Sequence, residues 1–208
     1  MIRFLPRILD TKHESILSQE RSLAKAVASA VIEEKPVTVW EITIPILFLV
    51  NFLKFKRSRE IFALNFLFTK KLALEAAFSM VEKGLSREEA MDRVKRKTMD
   101  ILTSDQKGIY SQKIRQKQLK EIELLIDHYR RLLEVDGKDY PSMLKNAYQT
   151  CENYTAFLNR LKLVENEVNR AAQQTVRVAT AVDLVSKMEK VTEKIRAVRA
   201  ERIFGMSS

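Results

Sequence analysis

The sequence predicts an all-α protein, a bundle of about five or six helices with a long C-terminal helix of heptad-like pattern. Three observations lead there. The 208 residues include only four glycines and four prolines, whereas a sheet protein uses many of both in its turns. Charged residues make up 31% of the chain, which suits long helices with solvated faces. After Pro141 the apolar residues alternate in helical steps, with no further proline and no glycine before Gly205.

The first helix is expected over residues 10–34, with Ile16, Leu23, Val27 and Val31 on its apolar face and Ala24, Ala28 and Ala30 widening it. Pro36 ends it. Thr38 and Glu41 then have capping-box spacing, and Pro45 follows as a first-turn residue or a kink. Residues 45–83 read as helix. Phe48, Phe52, Phe55, Phe62 and Phe66 form one stripe, beside a narrow polar stripe of Asn51, Lys54, Ser58 and Asn65. The basic knot of Lys54, Lys56, Arg57 and Arg59 alternatively makes a turn between two shorter helices. Gly84 stops this element as a residue just past the helix end.

Ser86 and Glu89 form a second capping box, which opens a helix to about residue 102. A break at 103–105 leads into a helix ending near Val135, with Leu119, Ile122, Ile126, Tyr129 and Leu133 on one face. Residues 136–141 are the clearest loop. There Gly137 is free to take positive φ, and Pro141 suits a helical first turn.

The seam beyond runs through Ala147, Thr150, Tyr154, Phe157, Leu161, Val164, Val168, Ala171, Thr175, Val178, Val182 and Val185. It then shortens at Met188 and Val191, a stammer, before Ile195 and Val198. As one helix it would hold about 60 residues and extend on the order of 90 Å. Leu158, Ala172, Ala179 and Ala181 flank the seam where a two-stranded coil keeps charges, so packing within a bundle is the better expectation. The organisation expected is an N-terminal helical region over 1–137, a long helix or helical hairpin over 138–204, and a disordered tail at 205–208.

Lysine and arginine number 37 against 27 aspartates and glutamates, a formal net charge of +10 that favours anionic partners. The lone Cys151 excludes an intramolecular disulfide, and with Tyr148, Tyr154 and Phe157 around it on a helical pattern it reads as a small core residue. The N-terminal apolar run is too short for a secretory signal, and no apolar run is long enough for an ordinary transmembrane helix. The expected location is cytoplasmic, with association at a membrane surface as the added expectation.

Motifs for catalysis are missing. There is no Gly-rich phosphate loop, no nucleophile elbow and no zinc spacing. Neither His13 nor His128 follows a glutamate three residues earlier, as a di-iron bundle requires. His128 with Asp127, Glu121 and Glu123 reads as a helical surface cluster. No catalytic residue, metal or cofactor is therefore expected, and the protein is read as non-enzymatic. A catalytic site assembled across helices would need a polar pocket between them.

The unusual stretch is residues 42–68, two apolar runs around the basic knot. Its plain reading is a central core helix. Its sharper reading is a contact surface of Trp40, Leu47, Phe48, Leu49 and Phe52 with Lys54, Lys56, Arg57 and Arg59, the apolar part entering an acyl boundary and the cations holding anionic headgroups. The functional expectation is thus a helical interaction or scaffold protein that meets an anionic membrane or a protein partner through residues 40–59. The alternative is non-specific binding of nucleic acid through Arg93, Lys95, Arg96, Lys97, Lys113, Lys117 and Lys120. These clusters lack interleaved aromatics for base stacking, and solvated helix surface is their plainer reading. The C-terminal seam would also serve a homo-oligomer.

Overall fold

The computed structural model describes residues 4–32, 58–105, 108, 110–175 and 179–205. These residues form seven helices and no strand: α1 (Phe4–Val31), α2 (Ser58–Lys83), α3 (Arg87–Ser104), α4 (Gln112–Glu134), α5 (Tyr140–Tyr148), α6 (Cys151–Thr175) and α7 (Ala179–Phe204). Five of them close a ring. Helix α1 packs on α2, α2 on α4, α4 on α6, α6 on α7, and α7 back on α1. Helix α3 lies against α2 and α4, and the short α5 touches α1, α4, α6 and α7.

Local chemistry explains the boundaries. Ser86 caps α3 reciprocally: its Oγ accepts the Glu89 N–H at 3.2 Å, and its own N–H donates to Glu89 Oε2 at 2.8 Å. Gly84 ahead of it takes φ +66°, as expected past a helix end. Ser111 caps α4, accepting from the Ile114 N–H. The far end of α4 is held by Lys12 of α1, whose Nζ donates to the carbonyls of Leu133 at 3.0 Å and Val135 at 2.6 Å. A cation there complements the helix dipole and satisfies orphan acceptors. Pro141 sits in the first turn of α5 behind the Asp139 cap, as the sequence suggested.

Gly137 differs from expectation. It does not take positive φ; a Cβ placed on it would lie 2.7 Å from Met143 Cγ and 2.8 Å from the Met143 backbone nitrogen. The position requires glycine for close approach, which a turn signal in sequence cannot distinguish from a φ requirement.

The single long C-terminal helix does not form. Gln149, at φ +66°, ends α5, and α6 and α7 are separate helices that pack together. Lys162 pairs with Glu193 while Asn169, later on α6, reaches the earlier Glu189, so the two run antiparallel. A hairpin and a straight helix share the same apolar period, and neither glycine nor proline marks either break, so the sequence could not separate them. On α7 the buried positions run Val185, Met188, Thr192, Arg196 and Ala200, whereas Val198 of the expected seam is 45% exposed.

Two large apolar clusters hold the ring. One gathers Leu74, Leu125, Tyr129, Leu132, Met143 and Phe157, among others. The other joins Val27 and Val31 of α1 to Phe62 and Phe66 of α2 and Val185 and Met188 of α7. The described part of residues 42–68 is therefore core at Phe62, Phe66 and Leu67. Phe48, Phe52 and Phe55 lie outside the described residues.

Candidate functional site

The ring is not filled throughout. A cavity of about 610 Å³ lies between α2, α4, α6 and α7. Helical spacing delivers its walls. Asn65, Phe66, Thr69 and Lys70 share one face of α2, Gln118 and Glu121 one face of α4, and Met188, Thr192 and Arg196 one face of α7. Helix α6 adds Glu165, Val168 and Asn169. The exposed lining residues all belong to α6 and α7, so the cavity opens between those two helices.

Four charged side chains meet inside. Arg196 grips Glu165 with both arms, Nη1 to Oε2 at 2.6 Å and Nη2 to Oε1 at 2.8 Å. Lys70 Nζ lies 3.3 Å from Glu165 Oε1, 3.9 Å from Glu121 Oε1 and 4.2 Å above the centre of the Phe66 ring. Thr69 Oγ1 donates to Glu121 Oε1 at 2.8 Å. Lys70 and Glu121 are almost wholly buried, at 3% and 5% exposure.

The two carboxylates are pushed apart in acidity. Burial raises the pKa of Glu121, and the neighbouring Glu165 charge adds to the rise against the opposing pull of Lys70 and Thr69. Burial also acts upward on Glu165, but Arg196 and then Lys70 outweigh it and hold its pKa down at about 2. One carboxylate commands two cations and the other has a share of one. Gln118 Oε1 and Thr192 Oγ1 are buried in the same lining and find no hydrogen-bond partner among the described residues.

A second, smaller cavity of about 310 Å³ is lined by α1, α4, α5, α6 and α7, with Lys70 from α2, and includes Glu20, His128, Tyr140, Tyr154 and Phe157. Lys70 and Arg196 line both spaces and so stand between them.

His128 belongs beside this second space, not on a surface. It is buried, its ring is stacked 4.3 Å from Phe157, and its Nδ1 is 2.7 Å from Tyr148 Oη. Burial, then the charges of Arg131 and Arg196, pulls its pKa down to about 3, so the imidazole is neutral at ordinary pH. The expected surface cluster is thus split across α4. Glu121 and His128 face inward, while Glu123 and Asp127 face outward and meet Arg87 at 2.7 Å and 3.0 Å. Residues two apart fall on different sides of a helix, and adjacency in sequence concealed this.

The residues singled out in the sequence fall elsewhere. Trp40, Leu47, Phe48, Leu49, Phe52, Lys54, Lys56 and Arg57 lie outside the described residues. Arg59 donates from Nε to the Ile32 carbonyl at 2.9 Å, joining the start of α2 to the end of α1. Arg93, Lys95, Arg96 and Lys97 are exposed on α3, with Lys95 paired to Asp92 at 2.9 Å. Lys113 and Lys117 reach across to α6, to Gln174 at 2.6 Å and Glu167 at 2.7 Å, and Lys120 is exposed. Arg115, in the same run, is buried and ties α4 to Thr98 and the Lys95 carbonyl of α3. Cys151 is half-buried at the start of α6, where it packs against the first apolar cluster and also lines the larger cavity.

None of the cavity residues was read as a site from sequence, and Glu121 was read only as part of a surface cluster with His128. A signal was present at Lys70, whose helical neighbours Phe66, Leu67, Ala73 and Leu74 are apolar, but not at Arg196, which stands among Thr192, Glu193 and Arg199. Among the described residues there is no helix long and apolar enough to cross a membrane, and no group of three or more His, Cys, Asp or Glu placed to hold a metal. Comparison with protein-family models, curated proteins and solved structures finds no match to this chain.

Proposed function

We propose that this protein is a helical ligand-binding protein whose site is the cavity between α2, α4, α6 and α7. The observation that carries this reading is an unfilled space of about 610 Å³ with an apolar side at Phe66, Val168 and Met188 and a charged side at Lys70, Glu121, Glu165 and Arg196. That volume lies in the range of small-molecule sites, and such sites combine apolar walls with a few convergent polar groups. Stability alone does not account for the charges. A buried ion pair is often no better than apolar side chains of the same volume. The expected ligand is a small molecule with an apolar body and a polar head.

The neutral dye Nile red tests this without reference to charge. Its fluorescence should rise on mixing with the protein, and Val168→Trp or Met188→Trp, which fill the cavity, should abolish the rise while helicity is kept. No rise with the wild-type protein, or a rise unaffected by both fillers in folded protein, would overturn the reading.

A second reading concerns residues 40–59. The bond from Arg59 to the Ile32 carbonyl brings together the described residues on either side of the stretch that carries Trp40, Phe48 and Lys54 in sequence. The apolar residues beside cations in that stretch support a contact with an anionic membrane or a protein partner. Flotation with anionic vesicles, reduced by Phe48→Glu with Leu49→Glu, is the expected result. Flotation unchanged in that variant would dismiss the membrane form.

A further inference from the structure

We infer that the ligand of this cavity is an organic cation, a protonated amine on an apolar body, with its ammonium at Glu121, Gln118 Oε1 and Thr192 Oγ1. The inference rests on the cavity being a ligand site. Three observations select the cation. The first is charge inversion. The chain carries a formal net charge of +10, yet the cavity is lined by more glutamates than cations. Its mouth presents Glu152, Glu193 and Glu201 against Lys162, and Lys162 is already paired to Glu193 at 2.7 Å.

The second observation is the pair of unpartnered groups. Gln118 is 2% exposed and Thr192 6% exposed; both residues line this cavity, and each has a buried oxygen with no partner among the described residues. A glutamine Oε1 can only accept, so the molecule that satisfies it must bring an N–H or O–H. An ammonium brings up to three donors.

The third is the distribution of cations inside. Lys70 and Arg196 are both committed to Glu165, so an incoming anion would have to displace that carboxylate. Glu121 has only the Thr69 hydroxyl and an ammonium 3.9 Å away. It is the group that a second cation would relieve, which accords with burial raising its pKa. Phe66, already faced by Lys70, offers the aromatic wall that amine ligands favour.

Octylamine, octanol and octanoate share one tail and differ only in the head. Displacement of Nile red should show octylamine binding at least about tenfold tighter than the other two, a free-energy difference of about 1.4 kcal/mol. Unspecific attraction to a basic protein would favour octanoate, so preference for the amine has to come from the site. Glu121→Gln and, separately, Thr192→Val should reduce that preference, read by calorimetry of octylamine and octanol on each folded variant. Two near-isosteric variants on different helices keep the test available if one fails to fold. Equal or tighter binding of octanoate or octanol would overturn the amine and leave the cavity reading standing. Failure of Nile red and of all three ligands would overturn both.

Discussion

The two halves of the ring interior are both buried and built on opposite principles. Around Leu132 and Met143, both at 0% exposure, the interior is apolar and filled. Around Lys70 and Arg196, at 3% and 9%, it is charged and hollow. In the first region each large side chain contributes about 1.5–3 kcal/mol by leaving water. In the second, the desolvation of four charges offsets most of their mutual attraction. The filled half therefore accounts for why the protein folds, and the hollow half has to be explained by what it can hold.

The largest expected effect breaks the charged half. Arg196→Met leaves Glu165 with Lys70 alone and should cost about 3–5 kcal/mol in urea unfolding. The double variant Arg196→Met with Glu165→Met should recover most of that loss. A double variant as unstable as the single would mean that the cluster is retained for stability, and the contrast would fail.

Leu132→Ala in the filled half should cost about 2–5 kcal/mol, with Nile red binding by the folded fraction unchanged. No neighbouring change of charge should recover it. Loss of dye binding in folded Leu132→Ala would show that the two halves are mechanically one.

His128 sharpens the comparison through pH. Its folded pKa of about 3 lies below the ordinary value of 6.5, so the unfolded chain binds the extra proton between those values. Stability should therefore fall as pH drops through that window, by up to about 1.4 kcal/mol per unit from this group. Urea unfolding at pH 6.5 and 5 measures it. His128→Phe should flatten the slope, and an unchanged slope would assign the acid sensitivity to other groups.

The smallest effect is expected outside the ring. Lys117→Ala removes an exposed pair with Glu167 and should cost no more than about 1 kcal/mol, less at high salt. A larger loss would mean that the α4–α6 contact depends on surface charge and not on the buried seam.

Legibility in sequence followed the same division. The all-α class, the Ser86 capping box, the Asp139–Pro141 entry to α5 and the apolar faces of α1 and α4 are local patterns, and the structure carries them. The division into separate, antiparallel α6 and α7 was not legible because no breaker marks it and the apolar period continues across. The cavity was not legible because it joins Lys70, Glu121, Glu165 and Arg196 from four helices, and spacing within one helix says nothing about which neighbour it faces. What could be read was one local misfit, Lys70 among Phe66, Leu67, Ala73 and Leu74 on α2. His128 misled for the complementary reason, since its acidic sequence neighbours lie on another side of the same helix.

Arg199 of α7 donates to the Gln19 carbonyl and to Ser22 Oγ of α1, closing the ring across 180 positions of chain in the first of these bonds. The loop entropy of so distant a contact is modest, since each doubling of loop length adds only about 0.6 kcal/mol. Timing is the greater constraint. At about 5–20 residues per second, α7 leaves the ribosome on the order of ten seconds after α2 is complete. Through that interval Leu23, Val27 and Val31 have Phe62 and Phe66 to pack on, but not yet Val185 and Met188. A ribosome stalled between α6 and α7 would therefore hold a half-built ring whose apolar seam stays open to aggregation until α7 arrives.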